Sequence, residues 1–180
     1  MNEFPIHYTG QYYQDEKYGW GEESFGYSTQ PYKIYTGKFE HDKKSGLGST
    51  VWTLFTQRYH QGWYRDNLPN GSGEIHLKPN YFVMTNFVDG VPDGLSNGVD
   101  YSGNSWSGGH IINNLISGKT KITYKDGSTF QGILMDNIAN GYGELNFSNG
   151  DLYFGRFKYG MFDDDRSADY VHKDSEIGQY

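Results

Sequence analysis

The 180-residue chain holds 25 glycines, 17 tyrosines and 11 phenylalanines, no cysteine, and a formal net charge of −7. Few alanines and leucines and many aromatic and turn residues point to an all-β chain, long enough for an ordinary core. The charge argues against a nucleic-acid binder, which needs a basic surface, and the missing thiols exclude disulfides and thiolate metal sites.

The opening "MNEFPIHYTG" has no basic segment followed by an apolar run, so no signal peptide is expected there. No run approaches the roughly 18 apolar residues of a membrane helix, and a cytoplasmic location is the default. From Tyr8 onward a tile repeats, with units starting at Tyr8, Tyr35, His60, Val83, Ser107, Phe130 and Tyr153. The third position reads Gly10, Gly37, Gly62, Thr85, Gly109, Gly132, Gly155, and the fifth Tyr12, Phe39, Tyr64, Phe87, Ile111, Leu134, Phe157. The eighth (Asp15, Asp42, Asn67, Gly90, Asn114, Asn137, Gly160) contains only residues that tolerate a left-handed backbone. The twelfth is Gly19, Gly46, Gly71, Gly94, Gly118 and Gly141, and the fourteenth is glycine at 21, 48, 73 and 143.

Positions one, three and five alternate and share one face of a strand; position eight turns the chain, and a second strand returns through Gly-x-Gly. Asp126-Gly127 and Asn149-Gly150 turn it again into the next unit. The expectation is an elongated, single-layer antiparallel β-meander of about seven hairpins, twisted into a trough, with aromatic rings lying over the glycines, Gly141 included. The first two steps, of 27 and 25 residues, predict longer loops around "YSTQPYKI" and "TLFTQR". The array is assigned to residues 1–162, and residues 163–180 to an acidic tail with six acids, one Arg and one Lys.

The pattern Tyr-x-Gly-x-aromatic-x-x-(Asn/Asp/Gly)-x-x-x-Gly-x-Gly over about 23 residues, as in "YTGKFEHDKKSGLG" and "FQGILMDNIANGYG", resembles the MORN (membrane occupation and recognition nexus) repeat. The units at Val83 and Ser107 depart from it, with Val83, Thr85, Ser96 and Thr120 in place of ring or glycine, which leaves their register open. The resemblance implies a scaffold. MORN arrays occur in ciliary radial-spoke heads, cytoskeletal collars, beside myosin tails and in junctional membrane proteins. Some members carry an appended catalytic module, and none is expected here, because the array fills the chain.

Neither catalytic residues, a cofactor site nor a metal site is expected. His7, His41, His60, His76, His110 and His172 form no ligand pair at metal spacing, and "GYGELNFSNG" leads into a strand rather than the helix of a phosphate loop. Partner-binding residues are sought in two places. The even positions, which face away from the rings, are polar early (Thr9, Gln11, Thr36, Lys38, Glu40) but apolar later: Trp63, Met84, Val88, Ile112, Ile133, Met135 and Phe154. Such a band calls for a cover: a protein partner, another MORN protein, a second copy, or the C-terminal segment through Tyr170, Val171 and Ile177 folded back. The ring stripe (Tyr12, Phe39, Tyr64) serves either packing on glycine or partner contact. The alternative function is a peripheral membrane module for anionic phospholipid; the basic residues read as dispersed, and Lys119, Lys121 and Lys125 are the best local group.

Overall fold

The computed structural model of the chain describes residues 5–53, 58–77, 80–163 and 169–172. Fifteen strands and no helix lie among them, forming an antiparallel meander of hairpins. Two compact units divide the chain at Gly94/Leu95.

The first unit contains β1 (Ile6–Tyr13), β2 (Glu16–Tyr27), β3 (Gln30–Glu40), β4 (Lys43–Trp52), β5 (Arg58–Arg65), β6 (Leu68–Leu77) and β7 (Tyr81–Val88). Each pairs antiparallel with the next. Strand β8 (Val91–Val99) runs across the division. In the second unit β9 (Ser105–Ile112), β10 (Leu115–Thr123), β11 (Thr129–Met135), β12 (Ile138–Asn146) and β13 (Leu152–Lys158) pair in order.

The turn inside each of the seven tiles consists of two consecutive left-handed residues. Position eight is one of them, as expected; position seven is the other, as in Asp136 (φ 52°) with Asn137 (φ 69°) and Tyr159 (φ 51°) with Gly160 (φ 78°). This is the turn whose twist matches that of paired strands. Position eight also stitches neighbouring hairpins. The side-chain oxygens of Asp42, Asn67 and Asn137 accept from the backbone N–H of Lys17, Lys44 and Ile116, two residues after the preceding turn, at 2.9, 3.0 and 2.7 Å. Where that earlier residue is Pro69, with no N–H to give, the position-eight residue is Gly90, whose own N–H donates 2.8 Å to the Pro69 carbonyl.

Rings at position one do lie over glycines, at positions three and fourteen. A Cβ on Gly37 or Gly48 would sit 2.4 Å from the Tyr35 hydroxyl, and one on Gly132 or Gly143 would meet Phe130 at 2.6 or 2.8 Å. Gly10 is crossed likewise by Tyr8, while Gly62 meets the backbone of Gly73, and buried Gly155 pairs with Gly143. The twelfth-position glycines have a different reason. Gly141 is not ring-covered, since its nearest neighbour would be Ile133 at 3.8 Å; it is held at φ 98° where the second strand bulges. Gly19, Gly46, Gly71 and Gly118 share that left-handed backbone, and Gly94 stands at φ 153°.

The two irregular tiles resolve differently. In the fourth, Val83 is too short to cross position three, and Thr85 stands there buried. In the fifth, the expected start at Ser107 is one residue late. Trp106 pairs with Ile122, as position-one rings do with position sixteen, and Gly108 pairs with Thr120 as position three does with fourteen. Gly108 and Gly109 are both left-handed (φ 77° and 73°) and absorb the extra residue as a bulge.

Two further expectations are corrected. The four extra residues of the first step do not lengthen a loop; β2 and β3 run on to a tight turn at Ser28-Thr29, with an irregularity at Phe25/Gly26. The longer loop expected around "TLFTQR" falls mostly on residues 54–57, which lie outside the described residues. The array also continues past residue 162. Strands β14 (Met161–Asp163) and β15 (Asp169–Val171) both pair with β13, so together they flank it as the return of the seventh hairpin.

Each unit packs its own ring lattice. A position-one ring meets edge-on the position-five ring of its own hairpin and of the next: Tyr35 with Phe39 and Tyr64 (5.2 and 4.9 Å between centroids), and Phe130 with Phe157 (5.2 Å). Such contacts add about 0.5–1.5 kcal/mol each beyond the area they bury.

Candidate functional site

The face away from the rings is apolar and uncovered in both units. In the first, Trp63, Met84 and Val88 are about half exposed, and in the second so are Ile112, Ile133, Met135 and Phe154. Each of these residues lies at an even position, as expected. The C-terminal segment does not cover the band in the described residues. Instead Phe162 and Tyr170 turn toward the ring face, Phe162 against Tyr153 (4.1 Å) and Tyr170 against Phe147 (6.1 Å); Ile177 lies outside the described residues.

Sequence reading misses half of this surface because it follows first strands alone. The residue between the two glycines of Gly-x-Gly stands on the same face, opposite position four of the next hairpin: Trp20 opposite Lys38, Leu47 opposite Trp63, Tyr142 opposite Arg156. Trp20, Leu47 and Tyr142 are 54%, 47% and 55% exposed, so the early hairpins are not polar there after all. The signal was available as the middle letter of the motif. In the second unit Ile133, Tyr142 and Phe154 border a shallow depression of about 360 Å³, with Lys119, Gln131 and Glu144 at its rim.

The ring face separates the three expected ring contacts. Phe39 and Tyr64 are 3% and 4% exposed and spent in packing, which corrects their assignment as partner contacts; each is overlaid by rings of adjacent hairpins. Tyr12, at the same position on β1, is 60% exposed. Tyr64 further anchors a buried polar chain: its hydroxyl lies 2.7 Å from Thr50 Oγ1 and 2.7 Å from His60 Nδ1. Burial, and then the charge of Arg58, bring the His60 imidazole down to about 4, so it is neutral near pH 7.

The basic residues of the first unit are less dispersed than the sequence suggests. Lys17 and Lys44 converge on buried Glu23 at 2.5 and 2.9 Å, each ammonium lying over aromatic rings. Burial alone would raise the Glu23 carboxyl; bonds from the two ammonium groups hold it below the usual carboxylate range. Beside this cluster, Lys33 and Arg58 flank Trp52, with the Lys33 Nζ 5.9 Å and the guanidinium carbon 4.8 Å from the ring centre.

Of the histidines, His41 pairs with Glu16 (2.7 Å), His76 with Glu74 (3.4 Å) and His172 with Asp151 (3.4 Å). Among the described residues no three His, Cys, Asp or Glu side chains converge as a metal site would require. A scan of the chain against protein-family models finds no match, and a search of curated proteins finds none either.

Proposed function

We propose that this chain is a non-enzymatic repeat scaffold of the MORN type, which binds partner proteins along its sheet within a larger assembly. A ciliary, radial-spoke-like or other cytoskeletal assembly is the setting that the repeat resemblance suggests. The observation that carries the reading is the apolar face: Ile112, Ile133, Met135 and Phe154 of the second unit are 43–54% exposed on strands whose opposite face is packed. A partner covering such side chains gains roughly 1.5–3 kcal/mol for each one fully buried. Charged replacements at Ile112 and Ile133 lie outside the ring core, so the hairpins stay folded. Affinity purification with crosslinking from the native source, using the whole chain and an Ile112→Lys/Ile133→Lys variant, tests the reading. Partners crosslinked to the wild type and lost from the folded variant support it; undiminished recovery removes this face from the binding site.

A further inference from the structure

Four cations lie on the ring face of the first unit, Lys17 and Lys44 on the Glu23 carboxylate and Lys33 and Arg58 beside Trp52. Residues Phe25, Lys33, Trp52, Arg58 and Leu77 form one cross-strand row over β2 to β6, paired position by position. Two residues along, Glu23 is taken by Lys17 and Lys44. Lys33 and Arg58 are left over. Among the described residues neither has an ion pair, and Arg58 Nε is out of water with no hydrogen-bond partner. The five residues of sequence between β4 and β5, Thr-Leu-Phe-Thr-Gln, contain no acid.

An ammonium held between the Phe25 and Trp52 rings, 4.9 and 5.9 Å from their centres, and a guanidinium on the same indole, both half-buried and without an ion pair among the described residues, are costly to the fold and so call for a reason outside it. Burial and the nearby charge of Lys44 both push the Lys33 ammonium down, against the pull of Glu23. The neighbouring Glu23 site is an internal precedent for what fits: two ring-stacked cations with one carboxylate between them. We propose that Lys33, Trp52 and Arg58 form an acceptor site for a carboxylate side chain of an acidic peptide segment, its charge between the two cations and its methylenes on the indole. The proposal deepens the partner-binding reading and rests on it, but concerns a different face and unit from the Ile112/Ile133 test. The two can therefore fail separately.

The test uses the whole chain, ¹⁵N-labelled, with acetylated and amidated hexaglutamate as the probe. The indole N–H resonance of Trp52, identified by its loss in Trp52→Phe, reports occupancy. A saturable, salt-sensitive shift is expected. Lys33→Met/Arg58→Met should weaken binding at least ten-fold while melting at or above the wild-type temperature, because the apolar stems remain and two uncompensated charges go. Lys119→Met/Lys121→Met should titrate like the wild type. An unmoved Trp52 resonance, or equal binding by the Lys33/Arg58 variant, overturns the site. A Lys33/Arg58 variant that melts lower or fails to fold assigns the cations a packing role and overturns it as well. If inorganic phosphate or phosphatidylserine vesicles move Trp52 at lower concentration than the peptide, the site belongs to phosphate and the carboxylate assignment falls.

Discussion

The hydroxyl of Tyr35 passes over Gly37 and donates a 2.9 Å hydrogen bond to the carbonyl of Lys38. Tyr8 to Gln11 and Tyr153 to Arg156 repeat the bond at the same distance. The reason lies in the register: the second strand bulges opposite position four, which leaves Lys38 and Gln11 without a partner on the return strand of their own hairpin. The ring that needs glycines beneath it thus serves the backbone that the twelfth-position glycine disturbs.

Tyr35→Phe keeps the ring and removes the donor, leaving a carbonyl unserved beside a ring that is fully buried. A loss of about 1–2 kcal/mol is expected in urea unfolding. A loss below about 0.3 kcal/mol would mean that water serves the carbonyl equally well.

The ring and the third-position glycine should be energetically coupled, because the chain already contains the compensated pair Val83 and Thr85. Gly132→Thr alone drives a Cβ to 2.6 Å from Phe130 Cζ and 2.9 Å from the Gly143 Cα, so about 3 kcal/mol is expected. Adding Phe130→Val, which on its own empties part of the core, should recover part of that loss. The double-mutant cycle should show at least about 1 kcal/mol of favourable coupling. Additive losses would dissociate ring from glycine. Gly141→Ala has room but an unfavourable φ and should cost only about 1–2 kcal/mol.

These pairings explain what the sequence could and could not tell. Column eight, all Asn, Asp or Gly, revealed the hairpins because a left-handed backbone restricts residue type wherever it occurs. Position seven hid the same constraint, since Gln14, His41 and Tyr159 occupy it without belonging to the usual set. Trp106-x-Gly108 was legible as the true start of the fifth tile, but the following Gly109 offered a competing register that only strand pairing decides. Lys33 and Arg58 are 25 residues apart in sequence; their meeting on Trp52 depends on three strands being in register, which no local pattern reveals.

Tyr159 is 69% exposed and strained at φ 51°, so its ring gives little back for its backbone. Tyr159→Asn, the residue type found at position seven in Asn113, should stabilise the second unit by about 0.5–1 kcal/mol. Thermal melts of the whole chain, with the β13 amide resonances reporting the second unit, measure it. A decrease would show that the exposed ring contributes more than the turn costs.

His60 should make the first unit acid-sensitive. Its imidazole is 1% exposed, accepts or donates at Tyr64, and titrates near 4 rather than the ordinary 6.5. The unfolded chain therefore binds a proton that the folded chain refuses between those values, and folding stability falls as pH falls. The contribution is complete above about pH 6.5, is lost progressively toward pH 4, and levels off below. At about 1.4 kcal/mol per pH unit the loss is on the order of 3 kcal/mol. His60→Phe places at position one the ring that Phe130 supplies in the second unit, and also removes Nε2, a buried nitrogen without a partner. Urea unfolding monitored by β3–β5 amides at pH 7 and pH 4.5 should show the wild type losing more stability than the variant, by about 2–3 kcal/mol. Parallel losses in both proteins would mean that His60 is already protonated in the fold at pH 4.5, or that another group carries the acid response.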